Sequence, residues 1–199
     1  MTETALTPYK PAETSVSLGF STKNGFELMQ RAAQLLASSQ MVPKEYQGNV
    51  ANATIALEIA ARIGASPLMV MQNLFMVHGK PSWSSQFIIA AINGTGRFSP
   101  LRFDVTGEGD KKQCIAWATE KATGDRLESP PVSIDMAKKE GWATKAGSKW
   151  ATMPDLMLRY RAATLFGRLY VPEVLMGMKT YEEVIDIEGG EVSDIETKT

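Results

Sequence analysis

Two arginines seven residues apart, Arg161 and Arg168, share one stripe of a long helical segment with Met157 and Thr164. At helical spacing they lie about two turns, roughly 10.5 Å, apart along the axis and point the same way. A planar guanidinium fork meets phosphate oxygens two at a time, so such a pair suits phosphates along a nucleic-acid strand. Arg159 stands on the same segment, Lys145 and Lys149 stand in the loop before it, and Lys138 and Lys139 precede that loop. Trp142 and Trp150 flank the loop, each either a stacking face for a base or an anchor in the core. Arg126, on a short strand upstream, is a further candidate contact. The competing reading is that these cations pair with carboxylates of the chain itself.

Charge sharpens the first reading. The net charge is −1, but seven acids and one base between Tyr181 and Thr199 give that stretch −6, leaving +5 on residues 1–180. All of that excess falls in 138–168, where seven bases face Glu140 and Asp155. A concentrated basic segment next to an acidic extension fits a polyanion-binding site. The acidic extension is either a competitor for the basic groove or a solubilising tail.

Other chemistries find little support. Gly141 and Gly147 are separated by five residues and Ser148 precedes Lys149, so the phosphate-loop pattern fails and no ATP site or other cofactor is assigned. His78 is the only histidine and Cys114 the only cysteine, which excludes histidine triads, multi-histidine metal sites and internal disulfides. Asp104, Glu108, Asp110 and Asp155 are scattered, so a magnesium-dependent nuclease has no clustered carboxylate signature. Asp155 and Glu173 have simpler places near helix N-termini. Cys114 is expected in the core, and of the eleven methionines Met69, Met71, Met76, Met153, Met157, Met176 and Met178 in irregular core or subunit contacts. The longest apolar run, Phe87–Ile92, is far short of the roughly 20 residues a membrane span needs. Met1–Gly25 lacks the pattern of a secretory leader, so the expected compartment is the cytoplasm.

The elements that must position these residues are legible from periodicity and caps. At 199 residues, 44% hydrophobic and 22% charged, the chain suits one sizeable core. A loose arm over 1–24 is followed by a helix from about Gly25 to Ser39. Asn52 is the expected cap of a second helix carrying Ile55, Ile59 and Ile63, and Ser66-Pro67 starts a short third. Leu74–Trp83 reads as a hairpin, Ser84 or Ser85 caps a fourth helix, and alternation over 98–106 and 113–119 gives two strands, with a third near Arg126–Glu128. Pro130-Pro131 closes the strands. Ser133 caps a helix to Glu140, Gly141–Lys149 is a basic loop, and Pro154 opens the last long helix. Its expected core face is Leu158, Ala162, Leu165 and Leu169. The whole is α+β: a small antiparallel sheet and hairpins packed with helices. The division expected is an arm over 1–24, a core over 25–180, and an acidic, disordered tail over 181–199.

The run from Lys149 to Gly177 carries a more specific pattern. Trp150, Thr152 and Pro154, then Met157, Arg161-Ala162, Arg168, Pro172-Glu173 and Gly177 resemble the C-terminal signature of the RecT family, phage-type single-strand DNA annealing proteins distantly related to Red beta. About 30 residues are covered at roughly ten matched positions, with a looser likeness over Ile63–Leu68 and in the order of elements. The resemblance implies an ATP-independent protein, without catalytic residues, that coats single-stranded DNA and pairs it with its complement. It also implies homo-oligomeric rings or helical filaments, an outward basic groove, and action beside a 5′–3′ exonuclease and the host single-strand-binding protein, in a bacterial cell carrying the phage or prophage. The alternatives from other classes are a metal-dependent nuclease and a phage structural assembly protein.

Overall fold

The computed structural model of the chain describes residues 18–77, 79–145 and 148–188. Most of the arm expected over 1–24 lies outside these, as do His78, Ala146, Gly147 and the acidic residues 189–199. The chain divides into two units, 1–67 and 68–199.

The first unit is a pair of packed helices, α1 (Lys23–Ala37) and α2 (Val50–Ile63). Thr22 starts α1 by accepting the Gly25 N–H at 3.0 Å. Met29, Ala33 and Ala37, at i, i+4 and i+8, form its buried stripe. Asn49, not Asn52, caps α2, accepting the Asn52 N–H at 3.0 Å. The expected isoleucine face is also displaced: Ile55 is 56% exposed, and Ala53, Ala56, Leu57, Ile59 and Ala60 are the buried residues. Small alanines permit close approach of the two helices, which the large side chains at 55 and 63 would not. Val42 and Tyr46 seal the connection, and burial pushes the Tyr46 hydroxyl up to about 12.

The second unit is α+β. α3 (Pro67–Asn73), all but its first residue in this unit, leads into a hairpin, β1 (Leu74–Val77) with β2 (Lys80–Trp83), in the register Leu74 opposite Trp83. Ser84 caps α4 (Ser85–Gly94), accepting the Phe87 N–H at 3.0 Å, and Trp83 stacks on Phe87. A second antiparallel sheet follows: β3 (Arg102–Thr106), β4 (Gln113–Thr119), β5 (Arg126–Glu128) and β6 (Val132–Ser133). β3 runs along one edge of β4, while β5 and β6 share the other. Between those two, Ser129 donates its N–H to the Ala116 carbonyl and accepts the Ala116 N–H on its hydroxyl. Pro130-Pro131 cannot donate, so the ladder breaks there before resuming as β6, a strand the sequence pattern does not announce.

The remaining elements are α5 (Ile134–Lys139), α6 (Lys149–Thr152), α7 (Pro154–Tyr170), α8 (Pro172–Leu175) and α9 (Tyr181–Glu188). α6 turns the end of the expected loop into helix. α7 packs on α4 and on the inner face of β4, whose Cys114, Ala116 and Ala118 are small and fully buried. Burial pushes the Cys114 thiol up to about 11. Gly167 sits where α7 meets its neighbours: a Cβ there would stand 2.9 Å from Leu175 Cδ1 and 3.4 Å from Ile88 Cγ2. Met71 and Met157 fill the core as expected, whereas Met69, Met76 and Met153 are exposed.

Two expectations about the C-terminal part are corrected. Residues 181–188 are not a disordered tail but helix α9, with Val184, Glu183 and Asp186 buried. The outward stripe of α7 is inward: Met157, Arg161 and Thr164 are buried, while Leu169, assigned to the core face, is 56% exposed. α7 is covered by the sheet and α4 and again through α9, so a single apolar face does not describe it.

One turn residue tests the sheet. Gly107, between β3 and β4, has φ +77°, and a Cβ there would lie 2.4 Å from the Lys111 carbonyl oxygen. Gly107→Ala is expected to cost about 2 kcal/mol or more, read as a lower denaturation midpoint, because backbone cannot yield as a side chain tip does. An unchanged midpoint would show that the turn has another conformation.

Candidate nucleic-acid interface

The site is built from three segments of the second unit. α5 ends at Lys139, and the chain turns back so that the Trp142 N–H donates to the Ala137 carbonyl at 2.8 Å. The Ser148 hydroxyl donates to the Trp142 carbonyl at 2.7 Å and accepts the Trp150 N–H, which pins the loop to the start of α6. Pro154 then opens α7, where its ring presets φ and its missing N–H leaves one fewer donor without an intrahelical partner. The two indole rings meet with centroids 5.6 Å apart. Arg161 lays its guanidinium over the Trp142 ring, 4.1 Å from the centroid.

The arginine stripe is met by α9. Arg161, its side chain 5% exposed, donates to Glu183 Oε1 at 2.9 Å and to Asp186 Oδ2. Arg168 donates to Glu183 Oε2 at 2.6 Å and keeps 40% of its side chain exposed. Glu183 also accepts the Thr180 N–H at 3.0 Å, and Asp186 accepts the Trp150 indole N–H at 3.0 Å. Lys145 donates to the carbonyls of Ile185 and Asp186, toward the C-terminal end of α9, where the helix dipole favours a cation. A third acid, Glu182, caps the start of α4 by accepting the Ser85 N–H and hydroxyl, the latter at 2.7 Å. Desolvation outweighs these bonds and raises the Glu182 carboxyl above its ordinary value.

The expected contacts therefore separate into groups. Arg161 is not a surface contact: two carboxylates and an indole enclose it. Trp150 is 3% exposed and serves as a core anchor, as the competing reading had it. Lys145 is spent on α9, and Arg159 donates to the Asp155 carbonyl, one helical turn away, at 2.9 Å. Arg126 belongs to a different face. It lies over Trp117 on the outer side of the sheet, clasped by Asp104 and Glu128 at 2.6 Å each. Its hydrogen bond holds the Asp104 carboxyl below the usual range. Lys138 and Lys139 make exposed pairs with Asp110 at 2.6 Å and Asp135 at 2.7 Å. Lys149 is exposed, and its ammonium has no ion pair or side-chain hydrogen bond among the described residues. Asp155 and Glu173 do stand in first helical turns, and pair with Lys112 at 2.5 Å and Arg97 at 2.8 Å.

Sequence reasoning missed Glu182, Glu183 and Asp186 as partners because they were read as tail charge. The signal was present: Tyr181, Val184 and Ile185, at i, i+3 and i+4, give the acidic stretch an apolar side. Among the described residues no three His, Cys, Asp or Glu side chains lie together as a metal site. No single helix among them is long and apolar enough to cross a membrane.

The network makes two predictions. Arg161→Ala strands two buried carboxylates and is expected to cost about 3–5 kcal/mol in chemical denaturation. A loss below about 1 kcal/mol would mean that the pairs are not closed in solution. Glu182 has a folded-state value above its unfolded one, so its ionised form opposes folding at neutral pH. Its contribution improves as pH falls through the raised value and is complete below the unfolded one. A carboxyl-detected NMR titration is expected to place the Glu182 midpoint above that of an ordinary glutamate; a midpoint at or below it would refute the burial.

No protein-family model, no curated protein and no solved structure matches this chain, so its functional reading rests on its own residues.

Proposed function

We propose that this chain binds single-stranded DNA and anneals it to a complementary strand without ATP, as a homo-oligomeric ring or filament. The observation that carries the reading is the signature from Lys149 to Gly177. Its members are contiguous in the fold, running through α6, α7 and α8. Several of them hold the second unit together: Trp150 and Arg161 close the polar network, and Pro154 and Pro172 open helices. A pattern set by architecture explains why Arg161 faces inward, and it leaves the first contact with DNA to the surface beside it.

That surface is the end of α5 with the start of α6. Lys138, Lys139 and Lys149 are exposed there, and between Ile134 and Lys149 they are joined by only two acids, Asp135 and Glu140. Exposed ion pairs such as Lys138–Asp110 and Lys139–Asp135 are worth about 0–1 kcal/mol, so a phosphate exchanges with the carboxylate at little cost. One subunit offers few such contacts. An oligomer repeats them along a strand, and multivalency supplies the affinity that one copy lacks. Neutralising one strand removes the repulsion that a complementary strand meets, and pairing then needs no covalent step. The proposed setting is the cytoplasm of a bacterium carrying the phage or prophage, beside a 5′–3′ exonuclease and the host single-strand-binding protein.

Anisotropy of a labelled oligonucleotide, read across a salt titration, tests this. Binding is expected to weaken steeply with salt, and the triple variant Lys138→Glu, Lys139→Glu, Lys149→Glu to lose at least about tenfold in affinity with an unchanged melting temperature. Mixing complementary strands with the protein and no ATP is expected to give intact duplex faster than strands alone. Shortened strands in magnesium would make it a nuclease, and assembly indifferent to nucleic acid would make it a structural protein; either outcome ends this reading.

A further inference from the structure

α9 is fastened to the second unit chiefly by charge. It is eight residues long, too short to be stable in isolation. Its apolar anchoring is slight: Val184 is buried and Tyr181 meets Phe75 at 5.5 Å between rings, but Ile187 is 51% exposed. Two carboxylates do most of the holding, Glu183 between two arginines and Asp186 on Arg161 and Trp150, while Glu182 adds hydrogen bonds to Ser85 at the start of α4. The connection into α9 turns at Met176, φ 53°, and Gly177, φ 72°, consecutive left-handed residues, and beyond them is tied to β2 by the Trp83 N–H on the Lys179 carbonyl at 3.1 Å, a bond that must open with α9. Met176 is the only residue other than glycine with positive φ among those described, a strained conformation that invites rearrangement.

What α9 covers has the chemistry of a single-strand site. Arg161, Arg168 and Lys145 all spend donors on α9, two of them on its carboxylates, and the Trp142 ring lies directly under Arg161. Guanidinium forks with indole faces are the groups that take phosphates and bases of an unpaired strand. Replacing two carboxylates by two phosphates preserves the charge balance around Arg161. Exchange of one polyanion for another therefore keeps the guanidinium paired throughout, whereas opening the cleft to water alone gives up both ion pairs for hydration of the separated groups.

We infer that the face of α7 beneath α9 is a second, latent phosphate-binding cleft, in which Arg161, Arg168 and Lys145 take the backbone of single-stranded DNA when α9 swings out at Met176-Gly177. The inference rests on the DNA-binding reading above and deepens it. The exposed lysines of α5 and α6 make the first contact, and Glu183 and Asp186 hold the place of phosphates until the strand arrives.

Hydrogen exchange of the full chain with and without a thymidine oligonucleotide tests it directly. Added DNA is expected to speed exchange of amides 184–188 at least tenfold while α7 stays protected. The pair Glu183→Gln, Asp186→Asn keeps the shape of α9 and removes its charge, and is expected to bind the oligonucleotide about tenfold tighter. Should this variant fail to fold, the wild-type exchange measurement decides alone. DNA that binds with α9 still protected overturns the latent cleft and leaves the lysine surface standing. A chain that binds no single-stranded DNA in either form overturns both.

Discussion

A guanidinium buried in the second unit cannot stand alone. Arg161 loses its water when α7 packs, and the cost of an unpaired buried charge runs to several kcal/mol. The chain meets it with Glu183 and Asp186 from α9 and with the π-face of Trp142. That requirement reaches far along the sequence. The loop after α5 must fold back so that Trp142 lies under the arginine, α6 must present the Trp150 indole N–H to Asp186, and α9 must return across the same place. Hydrophobic burial builds the sheet, α4 and α7; charge compensation decides how α9 closes over them.

This division of labour bears on how the Lys149–Gly177 pattern is read. A motif rich in Arg and Trp invites assignment as a contact surface. Here Trp150 and Arg161 act inside the protein, Pro154 and Pro172 set helix starts, and of the exposed cations Arg168 is paired with Glu183 while Lys149 stands at the edge of the pattern. The most specific positions of the pattern are thus held by the architecture of the second unit, and their side chains bond to the chain itself.

Much of the fold was legible. Caps at Ser84 and Ser133, proline at the head of α7, and alternation in β3 and β4 state their elements locally, and the α+β order follows from them. What was not legible depends on partners distant in sequence. Ile55 looks like core until the alanine face of α2 is seen against α1. β6 exists because the chain resumes pairing with β4 after Pro130-Pro131. The stripe of Arg161 and Arg168 looks outward because charged residues usually are, and only α9, about twenty residues on, makes burial tolerable. Acidic composition hides that helix, since seven acids against one base suggest a solvated segment and mask the Tyr181, Val184, Ile185 spacing.

The single thiol has a practical corollary. Cys114 faces inward from β4, fully covered, and its sulfur resists ionisation up to about 11. To maleimides and similar reagents at neutral pH, the native chain is silent. Dyes or spin labels can therefore be attached at cysteines introduced on the surface without first deleting the natural one, so the core of the sheet keeps its own packing during spectroscopy.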